Sequence, residues 1–482
     1  MQKFIGREKE IEELQKCVGS DKSEFVVIYG RRRIGKTFLV RTFFNDTYTF
    51  YFVGSRNDST KAQLEHFSKA LKLAGGKHDD TPQSWTNAFD LLSAHLESIP
   101  SKKKKVLFFD EMPWIDRKQS DFVKALEYFW NSWVARRDDI LLIACGSSTS
   151  WMVNNLIQNQ GGLHNRITRQ IHLCPFTLRE TKLYLASRNF DYSDFQIAQC
   201  YMTFGGVPFY LSLLEPDLSL DQNINMLFFR NQAPLQREFD ELYNALFNKA
   251  DKYIAIVQAL SQKRKGLLRD ELIKATGVSG GRLTQILTNL EHSDYITSYS
   301  QFGNNSHNSI YKLTDFYTLF YYKFVYGNNT KDDAYWLHHF NDASVKSWLG
   351  FSFELLCFMH IAQIKKALGI SGIATSVSTW RKIAAKVNSQ SKEPLTDGAQ
   401  IDLLIDRVDR MIHLCEIKFS EKEYSITKAY AQKLRERAET FKKDTKTSKA
   451  LVHTFVTVNG VKANAYSSLL HSQVTLKDLF QE

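Results

Sequence analysis

One stretch constrains this chain more than any other: Gly30-Arg31-Arg32-Arg33-Ile34-Gly35-Lys36-Thr37. It fits G-x-x-x-x-G-K-[ST], and its flanks suit the pattern. Residues 25–29 (FVVIY) read as a short buried strand, and residues 38–44 (FLVRTFF) as the first turns of a helix. Strand, glycine-rich loop and helix N-terminus together make a cradle for phosphate, because backbone N–H groups turn inward and the helix dipole favours an anion. In that reading all eight residues line a nucleotide. Lys36 lends its charge to the β- and γ-phosphates, and the Thr37 hydroxyl faces Mg²⁺.

A second strand supplies carboxylates. Val106-Leu107-Phe108-Phe109 runs apolar without alternation and ends in Asp110-Glu111. Such runs suit strands covered on both faces, and the C-terminal edge of a parallel sheet is where ligands bind. Asp110 is the expected Mg²⁺ partner and Glu111 the base acting on the attacking water; a solvated acidic pair is the plain alternative. The preceding Lys102-Lys103-Lys104-Lys105 reads as a solvated loop. Residues 140–144 (ILLIA) form another buried strand ending in Cys145-Gly146-Ser147-Ser148. Ser147 or Ser148 is a candidate sensor of the γ-phosphate, against a simple turn serine. Arg166 is the better candidate for stabilising transition-state charge and Arg169 the other, with a surface arginine as the alternative.

Strands alternate with helices over residues 1–175, which predicts an α/β fold with a parallel sheet. Glu8–Val18 is an expected amphipathic helix with Ile11, Leu14 and Val18 on one face, and residues 49–53 a further strand. Residues 176–245 read as a helical lid. It is interrupted at 204–211 (FGGVPFYL), which would fold back toward the nucleotide. Residues 246–325 predict helices over 253–260, 267–275 and 281–291, then strands 295–299 and 310–313 flanking a polar loop at 303–308. That is the order of a winged helix-turn-helix, with Arg282, Thr284 and Gln285 placed to face a groove or simply to pack. Residues 327–333 read as a linker.

Residues 335–482 hold a second constellation. A helix beginning at Gly350 carries Glu354. Asp402 lies in an alternating strand after the turn Asp397-Gly398, and Glu416 and Lys418 share one face of the next strand, joined near Asp409-Arg410. A hairpin would bring Asp402 to them. Asp402 and Glu416 would hold a hard divalent cation, Lys418 would orient or deprotonate water, and Glu354 would assist. Lys428, Gln432 and Lys433 are options for a further polar group. An exposed carboxylate–lysine pair, worth little, is the alternative.

At 482 residues the chain suits about three or four domains. Apolar residues make up 43% and aromatics 13%, enough for folded cores. The net charge of +11 points to a polyanion, nucleic acid and DNA first. The six cysteines are scattered without a C-x-x-C pair, as expected of buried free thiols in a reducing compartment. No apolar run reaches ~18 residues and the first residues lack a signal-peptide core, so the expectation is a cytoplasmic protein with no membrane partner.

Taken together, these residues resemble the prokaryotic, archaeal-type ATPases of the STAND/AAA-like P-loop class. These join a winged helix and a C-terminal domain similar to the PD-(D/E)XK nucleases. The markers are Phe4-Ile5-Gly6-Arg7-Glu8, the arginine-rich P-loop, Phe109-Asp110-Glu111, Gly146-Ser147-Ser148, Pro175-Phe176, Gly205-Gly206-Val207-Pro208, Phe353-Glu354, Ile401-Asp402 and Glu416-Ile417-Lys418. The resemblance implies ATP and Mg²⁺ as cofactors and Arg7 near the adenine. It also places Arg166 as the arginine before the Pro-Phe motif. Gln400-Ile401 stands where such nuclease folds often carry a proline before the aspartate. Three functions follow, in order of preference. The first is an ATPase acting on nucleic acid with an Mg²⁺-dependent nuclease domain. The second is an ATP-driven switch that controls assembly, including with copies of itself. The third is a DNA-binding regulator.

Overall fold

The computed structural model describes residues 4–100, 103–117, 119–246, 250–303, 309–382 and 399–481. Lys102, most of the polar loop (304–308) and the turn Asp397-Gly398 lie outside them. The chain divides into two compact units: one holds the described residues up to Pro175 with Val207–Phe209 and Leu287–Asp294, the other the rest.

The first unit is built on a parallel sheet of β1 (Glu24–Tyr29), β2 (Phe50–Val53), β3 (Lys105–Asp110), β4 (Ile140–Gly146) and β5 (Arg169–His172), in the order β2-β3-β4-β1-β5. Side chains alternate along each strand, so the continuous apolar runs feed two separate cores. Phe25, Val27, Leu107, Phe109, Leu142 and Ala144 face one, with Phe67, Trp85, Phe89 and Phe122 from the covering helices. Val26, Ile28, Phe108, Leu141 and Ile143 face the other, with Leu14, Leu39 and Val40.

Two expectations need correction here. The helix Glu8–Val18 forms, but it buries Leu14 and Cys17, while Val18 is 42% exposed. Lys105 is not in a solvated loop. It opens β3 and is buried, with its Nζ 3.0 Å from Asp139 Oδ2 and donating to Leu96 O at 2.7 Å.

In the second unit, helices Leu178–Ser187, Asp194–Phe204 and Leu220–Phe228 each begin with a reciprocal capping box, set by Thr177/Glu180, Ser193/Gln196 and Ser219/Gln222. Gly205 and Gly206 end the second helix with φ of 71° and 63°. Further along lie helices Ala250–Ser261 and Arg269–Thr276. They accompany a small antiparallel sheet of β6 (Leu267–Leu268), β7 (Ile296–Tyr299) and β8 (Ile310–Leu313), in the order β6-β8-β7. The helix expected over 267–275 therefore begins two residues later. Leu267 and Leu268 pair with Tyr311 and Ile310 instead, and the capping role of Glu271, whose carboxylate accepts the Leu268 N–H at 2.8 Å, sets the start.

Residues 343–479 close the unit around β9 (Thr375–Lys382), β10 (Ala399–Arg407), β11 (Met411–Lys418), β12 (Ala450–Thr457) and β13 (Leu470–Thr475), in that order across the sheet. The pairs β9/β10 and β10/β11 are antiparallel, β11/β12 and β12/β13 parallel. Gly350 does not begin a helix; it lies inside Ala343–Met359, which is apolar on nearly all sides and buries Phe353, Leu355 and Leu356. Among the described residues no single helix is long and apolar enough to cross a membrane. Ala343–Met359 and Ile361–Ala367 pass only as a pair bent by 77°.

Candidate functional site

The loop after β1 is shaped by its glycines. Gly30 has φ +140°, and a Cβ there would lie 2.2 Å from Leu173 O. Gly35, at φ +85°, caps helix Lys36–Phe44, so the loop turns directly into the helix N-terminus. Lys36 is buried. Its Nζ donates to Gly30 O at 3.0 Å and Arg31 O at 2.8 Å, folded across the loop it would neutralise. Burial pushes its pKa down, which a phosphate would reverse.

Thr37 Oγ1 donates to Asp110 Oδ2 at 2.9 Å, so the end of β3 and the start of the helix meet across the crevice. Burial raises the Asp110 pKa, and the Thr37 hydrogen bond works against that rise. Glu111 follows in left-handed backbone, φ 45°, which turns its carboxylate away from the strand. Glu111 Oε2 accepts from Ser147 Oγ at 2.9 Å and from Ser147 N at 3.3 Å. Ser147 thus holds the Glu111 carboxylate, a partner that the motif spacing did not point to. Ser148 precedes the single turn Thr149–Met152, where its carbonyl accepts the Met152 N–H at 3.1 Å and its side chain makes no capping bond.

The loop's other side chains differ. Arg31 is buried, Ile34 is core and offers only backbone, and Arg32 and Arg33 are half-buried. Arg33, at φ 74°, sits 4.0 Å from the centre of the Phe209 ring, and Phe209 N donates to Arg33 O at 3.3 Å. The segment Val207–Phe209 therefore reaches the P-loop within the first unit. Arg7 Nη2 lies 3.5 Å from Ile34 O. Arg166 is exposed at the end of a turn closed by its N–H to Leu163 O at 3.0 Å. Arg169 is occupied structurally: its Nε is 3.4 Å from Glu13 Oε2.

The second constellation converges within the second unit. The register Leu403↔Cys415 puts Asp402 and Glu416 at facing positions one step along the hairpin. Both line a cavity of about 1120 Å³ together with Glu354 and Lys418. Sequence reasoning missed the groups that complete it. Lys418 Nζ lies 2.7 Å from Glu416 Oε1, which also accepts from the Tyr430 hydroxyl, and Arg437 Nη1 lies 2.7 Å from Oε2. Burial would raise the Glu416 pKa, but Lys418 and Arg437 outweigh it and the net shift is down. Glu354 behaves oppositely: burial, and then Asp402, push its pKa up to about 7. Lys312 on β8 faces this pair. Burial lowers its pKa while Glu354 and Asp402 oppose the fall. Nothing in the motif spacing singled out Lys312, because it comes from a different sheet. Of the three expected options on helix Lys428–Thr445, Lys433 lines the cavity, whereas Gln432 bonds Glu436 and Lys428 is exposed.

Arg282, Thr284 and Gln285 are engaged locally: Arg282 Nη1 donates to Gln285 Oε1 at 3.1 Å, and Thr284 accepts from Arg269 at 2.9 Å.

With that geometry in place, residues 4–214 match the model of an ATPase domain found predominantly in Archaea. These residues form an ATPase domain of archaeal type. An uncharacterized protein of Methanocaldococcus jannaschii is 22% identical over 434 residues, 89% of this chain and 90% of its own length. An uncharacterized ATP-binding protein of the same organism is 40% identical over 40 residues, 8% of this chain and 68% of that protein. Among solved structures, a Walker-type ATPase of Pyrococcus abyssi is similar at 17% identity with a TM-score of 0.48, covering 66% of this chain and 95% of that one. Cdc6p of Pyrobaculum aerophilum follows at 14% identity and 0.35, covering 67% and 94%.

Proposed function

We propose that the first unit hydrolyses ATP. The observation that carries this is the contact between Thr37 Oγ1 and Asp110 Oδ2 at 2.9 Å, with Glu111 the next residue. The hydroxyl and carboxylate are hard oxygen donors suited to Mg²⁺, and a polyanion would offset the burial that lowers the Lys36 pKa. Bound Mg²⁺ would neutralise phosphate charge. Lys36 and the backbone of residues 30–37 bind the phosphates, and Glu111 takes the proton of the attacking water. The test is Mg²⁺-dependent phosphate release by wild type beside Asp110→Asn. Loss of release in the variant supports the reading; equal rates reject it.

A second reading concerns the other unit: cleavage of a nucleic-acid phosphodiester, DNA first, by a nuclease-like domain beside a winged helix. The cavity favours it by gathering Glu354, Asp402, Glu416 and Lys418 under a basic surround of Arg264, Lys265, Lys312, Arg381, Lys433 and Arg437. The carboxylate oxygens fit Mg²⁺, because a divalent cation would offset the burial and the Asp402 repulsion that raise Glu354. Lys418, drawn to Glu416, is placed to orient water. Incubation of supercoiled plasmid with Mg²⁺ tests it: nicking by wild type and not by Lys418→Ala supports cleavage. Binding without nicking favours a regulator or an assembly switch.

A further inference from the structure

At the end of β5 in the first unit lies a second cluster of chemically active groups. The His172 ring stacks on Tyr29, centroids 4.9 Å apart and planes within 7°. Its Nε2 lies 3.0 Å from Asp294 Oδ2. Its other nitrogen, Nδ1, lies 3.8 Å from Cys174 Sγ. Three potential metal ligands thus fall within 4.8 Å of one another. The contacts they make run in series along the ring. The carboxylate addresses one ring nitrogen and the sulfur the other, whereas a metal cage needs its donors aimed at a common centre. Sulfur, imidazole and carboxylate in series make a relay, in which the third group orients the second and the second acts on the first.

We propose that Cys174 is a reactive thiol, activated by His172 and Asp294, whose co-reactant is hydrogen peroxide. The cysteine is exposed, which corrects the expectation that all six are buried; Cys17, Cys145, Cys200, Cys357 and Cys415 are. Asp294 and then Cys174 raise the His172 pKa to about 10, so the ring is a cation at neutral pH. The ring nitrogen 3.8 Å from Sγ is placed to exchange a proton with the sulfur and to orient it as a nucleophile. Tyr29 is the other titratable group against the ring, and burial holds its phenol neutral. The buried cysteines differ: burial, and then Glu24, push the Cys17 thiol up to about 11.

In the step, the Cys174 thiolate attacks one peroxide oxygen. An S–O bond forms and the O–O bond breaks. Sulfur loses two electrons and becomes a sulfenic acid. The leaving oxygen takes the proton of His172 and departs as water. Leu173, the preceding residue, donates its N–H to Tyr29 O at 2.8 Å and lies against Gly30, so the modified sulfur would stand next to the chain that packs on the P-loop.

The experiment uses the full chain with a chelator present. Iodoacetamide alkylation of Cys174 is followed by peptide mass spectrometry against pH, in wild type, His172→Phe (which keeps a ring against Tyr29) and Asp294→Asn. The expected result is alkylation at pH 7 about tenfold slower in His172→Phe, with Asp294→Asn between the two and all rates converging above pH 9. A peroxide dose followed by dimedone should label Cys174 in wild type and spare it in His172→Phe. Should His172→Phe fail to fold, Asp294→Asn carries the comparison. Equal rates at pH 7 overturn the proposal. So does stoichiometric Zn²⁺ binding, measured without chelator, that is lost in both Cys174→Ser and Asp294→Asn, because that result describes a metal cage.

Discussion

Ser147 donates two hydrogen bonds, from its hydroxyl at 2.9 Å and its backbone N–H at 3.3 Å, to one carboxylate oxygen of Glu111. The carboxylate that we propose as the base for ATP hydrolysis is therefore held from the residue that follows β4. A hydrogen bond to a charged group is worth about 1.5–3 kcal/mol. Ser147→Ala removes one of the two and should lower kcat by about tenfold with ATP affinity kept, and Ser147→Thr should recover part of the loss. Steady-state phosphate release with a parallel binding titration checks this. Weakened ATP binding by Ser147→Ala would place the serine on the phosphate instead.

Lys36 is buried and its amine bonds only carbonyls of the loop, Gly30 O and Arg31 O. Lys36→Ala should reduce ATP affinity by about a hundredfold or more, since a charge-assisted contact to phosphate is lost in a dry site. Equilibrium binding of a fluorescent ATP analogue measures it. Tight binding by the variant would contradict the assignment of this loop.

Gly30→Ala should destabilise the first unit through a Cβ forced to within 2.2 Å of Leu173 O in backbone that L-residues rarely adopt. Trp85→Ala should cost about 3–5 kcal/mol, because the indole is 1% exposed and packs edge-on to Phe67 and Phe122. Urea unfolding followed by circular dichroism reads both. Unchanged midpoints would mean that these contacts contribute little.

Glu354 carries a pH signature. Its carboxyl titrates at about 7 in the folded chain against an ordinary 4.5. Between those values the folded state binds more protons than the unfolded one, so stability falls as pH rises. The cost is absent below about pH 4.5 and fully present above about pH 7. Glu354→Gln removes it, so the variant should gain on wild type from pH 5 to pH 8 in urea unfolding with a chelator present. Parallel curves for the two proteins would show that neither burial nor Asp402 raises the Glu354 carboxyl.

The parallel sheet was legible because β1, β3 and β4 are buried on both faces and so read as unbroken apolar runs. The P-loop was legible because its glycines answer to backbone demands, a left-handed Gly35 and a Gly30 without room for Cβ. Asp402, Glu416 and Lys418 could be paired in advance because strand alternation and one tight turn, with Arg410 at φ 70°, fix their faces. Groups contributed from elsewhere in the chain were not legible. Lys312 reaches the cavity from the small sheet, and Arg437 and Tyr430 from a helix. Ser147 was read from its strand end, but its bond to Glu111 was not, since the left-handed backbone at Glu111 leaves no mark in the sequence. Val18 and Lys105 were misplaced because one-residue shifts of a helix face or a strand start are set by packing, not by pattern.

The most direct test of the account is ATP binding and ATP turnover measured side by side for wild type and Glu111→Gln. The account predicts ATP affinity within about threefold of wild type and phosphate release slowed at least a hundredfold, the range lost with a general base. Turnover at the wild-type rate in Glu111→Gln would contradict it.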